Sequence, residues 1–431
     1  MKKTILLATL AASLVSVAKT TGSVEFFNEN TGSFDKGKKG VYKVDNAGVK
    51  TEVKVDGTGL SFGGELKAEN IPVPMGGHKL VNNFFNNSNL FVKYELPQIK
   101  GVNSYVKGTL TPKVGDEATL SFQKGNAQLE ADVNYEVVKD LKLGVNTKTT
   151  FPFDKENKEY AQVATSTHKV YVKGNYAPIK DIKAEVEVKH SYKSTANTND
   201  ALKYLSLLAE AKYDVMKDLE LNGQFKFKYN FNDEIKLENL GDKDLLEIAK
   251  ALQFNGMKYA HSYVLGAKYT GLKNTEINVK GFVGHASDKK AQTPTHIVHY
   301  GVKGDVKYTG VENLTLTGKA TLAGVSNLKT PAAHTGIFEF GAGAKYDYKV
   351  SDKFTVSPEF NGDVNFYTTA DLVANTTLTL TPKVSAEYKP IEELKVSGSI
   401  AVPVKFAGNP ATFNYTNTSV KTALNIKYEW K

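Results

Sequence analysis

Lysines and carboxylates at alternating positions are the side chains with the most chemistry to offer in this sequence. Gathered on one strand face, they make a charged wall rather than a reaction centre. The candidates are Lys183, Glu185, Glu187, Lys189, Glu220, Lys226, Lys228, Glu276, Lys280, Lys319, Glu359, Asp363, Lys383, Lys395, Lys405, Lys421 and Lys427. A narrow passage lined this way filters and orients solutes, because low-dielectric walls focus the potential of their charges. Catalysis finds no comparable footing. With no Cys, thiolate nucleophiles, disulfides and Cys-held metals are excluded. His296 and His299 stand three apart, on opposite faces of a strand, and no His-Glu-x-x-His occurs. Gly37-Lys38-Lys39-Gly40 lacks the terminal Ser or Thr of a phosphate-binding loop and reads as a turn. No Ser, His and acid constellation can be nominated, so neither an enzyme, a cofactor nor a metal is expected.

All 55 basic residues are lysine, against 46 acidic ones, for a formal charge of +9. Without the bidentate fork of Arg, nucleic acid is a poor partner. A mean hydropathy of −0.34 rules out a bundle of membrane helices in 431 residues. Lys2 and Lys3 precede an apolar run from Ile5 to Val17 that ends in Ser16-Val17-Ala18, the pattern of a secretory leader and its cleavage site. Residues 1–18 are therefore expected to be removed and 19–431 to form the mature protein. Intact mass of the mature product should place its start near Lys19, and a product retaining Met1–Ala18 would contradict the assignment.

What positions the charges is a strand and turn unit repeated about every 40 residues. Each strand closes on Tyr, a few polar or branched residues turn, and an alternating strand begins. Tyr269 to Thr275 (YTGLKNT) and Tyr308 to Leu314 (YTGVENL) are two of the seven turns. After one of them Leu219, Leu221, Gly223, Phe225, Phe227, Tyr229 and Phe231 alternate with Glu220, Asn222, Gln224, Lys226, Lys228 and Asn230. A single sheet with one apolar face needs a second layer, and the only helix-like stretches in the sequence are too short to make one. Hydrocarbon can be that layer: a closed strand barrel turns its apolar face to lipid and its polar face to water, and satisfies every backbone group. The expectation is an all-β transmembrane antiparallel barrel of about 18 strands, with 16 to 20 allowed, in a bacterial outer membrane.

The turn tyrosines Tyr135, Tyr176, Tyr213, Tyr269, Tyr308, Tyr348, Tyr388 and Tyr428 then make a periplasmic aromatic girdle, where an apolar ring and a polar hydroxyl meet two solvents. Connections at the other end are expected to be longer, among them 193–201 and 231–255. The latter carries helical spacing from Asp242 to Phe254, either as a constriction in the lumen or as an external lid. Gly22 to Glu29 and Gly48 to Val55 are candidates for an added strand pair, and Lys107 to Gln128 for one hairpin turning at Lys124 and Gly125.

The Lys-led leader, the Tyr-turn repeats, the absence of Arg and the terminal Tyr428-Glu429-Trp430 resemble the major outer-membrane porins of fusobacteria, over essentially the whole mature chain. That resemblance implies a general diffusion channel for ions and small hydrophilic solutes, with adhesion as a further role. Outer-membrane lipid, the barrel assembly machinery and a homotrimer are the partners it brings. An adhesin or structural barrel with little transport is the alternative. Lys431 after the aromatic residue departs from the usual barrel ending, and the arginine cluster of well-known trimeric porins is missing, so their constriction residues have no counterpart here.

Overall fold

The computed structural model describes residues 19–73, 88–97, 99, 101–113, 124–138, 141–154, 159–160, 165–176, 182–195, 198–230, 259–287, 296–328, 334–367, 376–409 and 412–431. The leader and the 231–255 connection with its helical spacing lie outside the described residues.

Every regular element among the described residues is a strand. In chain order these are β1 (Thr20–Asp35), β2 (Val41–Val55), β3 (Leu60–Val73), β4 (Asn89–Glu95), β5 (Val102–Lys113), β6 (Lys124–Val138), β7 (Leu141–Asp154) and β8 (Glu159–Tyr160). Then come β9 (Thr165–Tyr176), β10 (Ile182–Thr195), β11 (Thr198–Met216), β12 (Leu219–Asn230), β13 (Tyr259–Tyr269), β14 (Thr275–Ser287), β15 (His296–Val311) and β16 (Leu314–Asn327). The last are β17 (His334–Tyr346), β18 (Tyr348–Ser351), β19 (Phe354–Tyr367), β20 (Thr376–Ile391), β21 (Leu394–Ala401), β22 (Val404–Asn409) and β23 (Thr412–Trp430).

Three staves are interrupted. β8 and β9 both lie along β7, β17 and β18 both along β19, and β21 and β22 both along β20 and β23. Pro403 accounts for the last break, since a proline has no N–H to give to a ladder. Counting each stave once leaves 20 among the described residues, all antiparallel to their neighbours. That is the upper end of the expected 16 to 20, and the pair beyond 18 is the candidate pair, β1 and β2. Two connections differ as well. The 193–201 stretch is mostly strand, with Thr195 opposite Thr198. Lys124 and Gly125 belong to β6, where Lys124 pairs back to Lys113 across the 114–123 connection.

Each stave pairs with the next along the chain, and β1 has β2 on one side and β23 on the other, with Gly22 opposite Trp430. Two of the short turns are closed by Asn274 (φ 57°) and Asn313 (φ 60°) in the left-handed region that Asn tolerates best among residues with a Cβ. Their carbonyls accept from Thr309 N at 2.8 Å and Asp347 N at 2.8 Å, so each turn is stitched to the hairpin beside it. Gly59 does similar service after β2. Its φ is +72°, and a Cβ there would stand 2.2 Å from the Glu95 carbonyl oxygen.

The described residues place no second protein layer on the sheet. Among the described residues only eight apolar side chains are buried, whereas Leu265 is 73% and Ile400 56% exposed. Exposure of large apolar residues on this scale needs a cover other than water.

Candidate functional site

Directly opposed residues of an antiparallel pair share a face, so the ladder alone sorts the side chains. From β12 to β15 one face reads Phe225, Tyr263, Val283 and Tyr300, level with one another. A second row on that face, nearer the short turns, runs through Leu219, Tyr269 and Ile277 to Val306. Glu220, Lys268, Asn278 and Asp305 hold the opposite face. Phe227 falls on the apolar side opposite His261, and Lys228 is paired one step on with Ala260.

The same parity carries every expected wall residue onto the polar face. Lys183 pairs with Glu210, Glu185 with Lys173, Glu187 with Tyr171 and Lys189 with Lys169. Side chains of those four lie outside the description, as do those of Lys228 and Tyr176. Elsewhere contacts are explicit. Lys319 Nζ is 2.7 Å from Asp363 Oδ1, Lys383 Nζ 3.2 Å from Glu359 Oε2, and Lys395 Nζ 2.6 Å from Glu387 Oε2. Lys268 Nζ meets Glu276 Oε2 at 2.9 Å, and Asn278 Nδ2 donates to Glu276 and to Asp305 at 3.1 and 2.8 Å. Lys405 pairs with Asn417, Lys421 with Thr31 and Lys427 with Glu25. Most of these ion pairs are half-exposed, so they fix the direction of side chains more than they stabilise the fold.

Several wall residues were not foreseen. Tyr105 OH donates to Glu130 at 2.7 Å, and Asn146 Nδ2 donates to Glu130 and Asp132 at 3.0 and 3.2 Å, joining β5, β6 and β7. Lys93 Nζ stands 4.6 Å from the Tyr105 ring centre and Lys107 Nζ 4.6 Å from that of Phe91. Their signal was the same alternation, weakened in this stretch by polar residues on both faces. A depression of about 570 Å³ opens on the polar face between Glu276, Lys307, Thr317, Lys319 and Asp363, spanning the six staves from β14 to β20.

Among the described residues, register sets lysine directly opposite lysine at six points: Lys93 and Lys107, Lys113 and Lys124, Lys142 and Lys173, Lys169 and Lys189, Lys280 and Lys303, and Lys395 and Lys427. Acid stands opposite acid once, at Asp214 and Glu220. Directly opposed like charges weaken a sheet. Facing lysine pairs thus outnumber facing acidic pairs six to one in the described register.

Tyr135, Tyr213, Tyr269, Tyr308, Tyr388 and Tyr428 are all exposed on the apolar face near the short turns. Tyr348 is exposed there too, but the place equivalent to Tyr308 and Tyr388, opposite the first residue of an adjoining stave, is held by Tyr346 opposite Leu314. Tyr94 opposite Leu60 extends the row to β4. One motif went unnoticed: Gly59-Leu60-Ser61-Phe62-Gly63 has the spacing of a nucleophile elbow. Ser61 however lies within β3, buried at 7% exposure and opposite Lys54 and Lys93, where an elbow needs a strand-to-helix turn. Among the described residues no group of three His, Cys, Asp or Glu is assembled to hold a metal.

No protein-family model matches the chain, and no curated protein matches it. Solved structures that align with it include the copper transporter OprC, at 8% identity and TM-score 0.48 over 95% of this chain and 80% of that one. OmpT, an outer membrane protein of Vibrio cholerae, aligns at 10% identity and TM-score 0.37 over 95% and 98% of the two chains. A bacterial polysaccharide outer membrane secretin aligns at 7% identity and TM-score 0.37 over 95% and 98%. Likeness at this level has no bearing on what the chain binds or moves.

Proposed function

We propose that the 20 staves form a closed barrel in a bacterial outer membrane and that the protein is a general diffusion porin for ions and small hydrophilic solutes. The observation that carries this reading is the separation of faces: among the described side chains one is mainly apolar and exposed, the other lined mainly by Lys, Glu, Asp and Asn. Pairing of β1 with β23 supports closure, which a lipid-spanning sheet needs so that no edge stays open. Between Tyr300 and Tyr308 on β15 the apolar face runs through Val302, Gly304 and Val306, about 26 Å of strand at ~3.3 Å per residue. Tyr300 to Tyr308 is the lower end of the about 9 to 11 residues that a tilted strand uses to cross a bilayer, and an aromatic residue stands at each end.

Twenty staves enclose more space than their own side chains fill, so water occupies the interior. The surplus of facing lysines makes the passage favour anions. The family reading as a fusobacterial-type porin belongs here too, resting on the Tyr-turn repeats and the all-lysine composition. Proteoliposomes holding the refolded chain should swell in isosmotic monosaccharide and progressively more slowly in longer oligosaccharides. No swelling with correctly folded protein would sink the porin reading.

A further inference from the structure

Three imidazoles sit together on the apolar face at the end of the staves away from the short turns. His261 on β13 is directly opposite His285 on β14, and His296 on β15 is the diagonal neighbour of His285, being paired with Ser287 two residues on. The rings of His285 and His296 are near-parallel, at 12°, with centres 5.3 Å apart, and a hydrogen bond joins His285 Nε2 and His296 Nδ1 at 3.1 Å. The His261 ring centre is 5.3 Å from that of His285. They begin one step beyond the row of Tyr263, Val283 and Tyr300, where the apolar band gives way to polar residues.

We propose that His285 and His296 chelate a divalent transition-metal ion at this rim, with His261 able to supply a third nitrogen. Two nitrogens 3.1 Å apart, each bound at ~2.05 Å, subtend roughly 100° at a metal, close to what tetrahedral and square-planar sites use. Neutral imidazole suits such ions, but in this structure the two nitrogens share a hydrogen bond, so binding requires the donor ring to carry its proton on its other nitrogen and both rings to turn toward the ion. No three-donor set is assembled among the described residues, so His261 must turn toward the pair to join it. The ion would tie β14 to β15 above the apolar band. This inference rests on register and ring geometry, not on the channel reading, and either can fail without the other.

Calorimetric titration of the refolded, untagged chain with Ni²⁺ tests it, with heat-resistant migration as the folding control. One ion per chain is expected. His285→Gln or His296→Gln should lower affinity at least ~10-fold, since loss of a supporting partner alone costs about 10- to 100-fold. His261→Gln should cost less. His299→Gln, on the same strand as His296 but the other face, should bind as the native chain does. His285→Asn replaces the glutamine variant if that one fails to fold. Absence of binding by the native chain, unchanged affinity in folded His285 and His296 variants, or loss of binding in the His299 variant would each overturn the proposal.

Discussion

Val279→Lys should abolish or severely reduce heat-resistant folding, while Lys280→Glu, one residue on, should fold as the native chain does. Val279 lies on the apolar face, 44% exposed, between Ala267 and Gly304 and midway between the two aromatic rows. An ammonium placed there meets hydrocarbon at about mid-depth, which costs roughly 2 to 4 kcal/mol. That is a large part of the 5 to 15 kcal/mol, in order of magnitude, that holds a folded protein together. Lys280 occupies the polar face opposite Gly266, where water solvates either sign of charge. Migration on unheated gels after refolding into detergent or lipid separates the two outcomes. Equal impairment by both substitutions would mean that the faces are wrongly assigned.

The second large effect is on selectivity. Lys280 and Lys303 are directly opposed on β14 and β15, and Lys303 Nζ stands 5.7 Å from the Phe282 ring centre on the same face. Replacing both by Glu reverses two wall charges at one level of the passage. Water and salt screen that change over about 8 to 10 Å, so it is felt by ions passing near the wall and less across the full lumen. In a salt gradient the reversal potential should move toward cation selectivity, and the shift should shrink as salt rises. A folded double variant with the native reversal potential would remove these lysines from control of the passage.

How far the molecule could be read from its sequence follows from where alternation stays clean. From Leu219 to Asn230 every second residue is large and apolar or Gly, and the register found there is the one expected. Along β1 the apolar side runs Val24, Phe26 and then Asn28 and Asn30, opposite Leu424 and Thr422, so its second half carries no period and the strand pair was legible only as a candidate beyond 18. Near Pro403 the reverse holds: alternation continues through a place where the backbone cannot, and one stave is broken into β21 and β22.

Contacts across neighbouring staves were the least legible. His261, His285 and His296 become neighbours only through three strands of register, and each alone reads as a scattered histidine. The lysine pairs are hidden likewise, because a single strand records the face of a lysine but not the residue opposite. Which of two tyrosines serves a turn, Tyr346 or Tyr348, depends on the interruption at Asp347, and spacing alone favoured the second.

Planar-bilayer recording of the refolded chain tests the central claim most directly. A closed barrel of 20 staves with a charged, water-filled interior should insert in discrete steps of ohmic conductance, carry a larger current as salt concentration rises, and show an anion preference in a salt gradient. Repeated absence of conductance in preparations that are folded by heat-resistant migration would contradict a water-filled passage and, with it, the porin function.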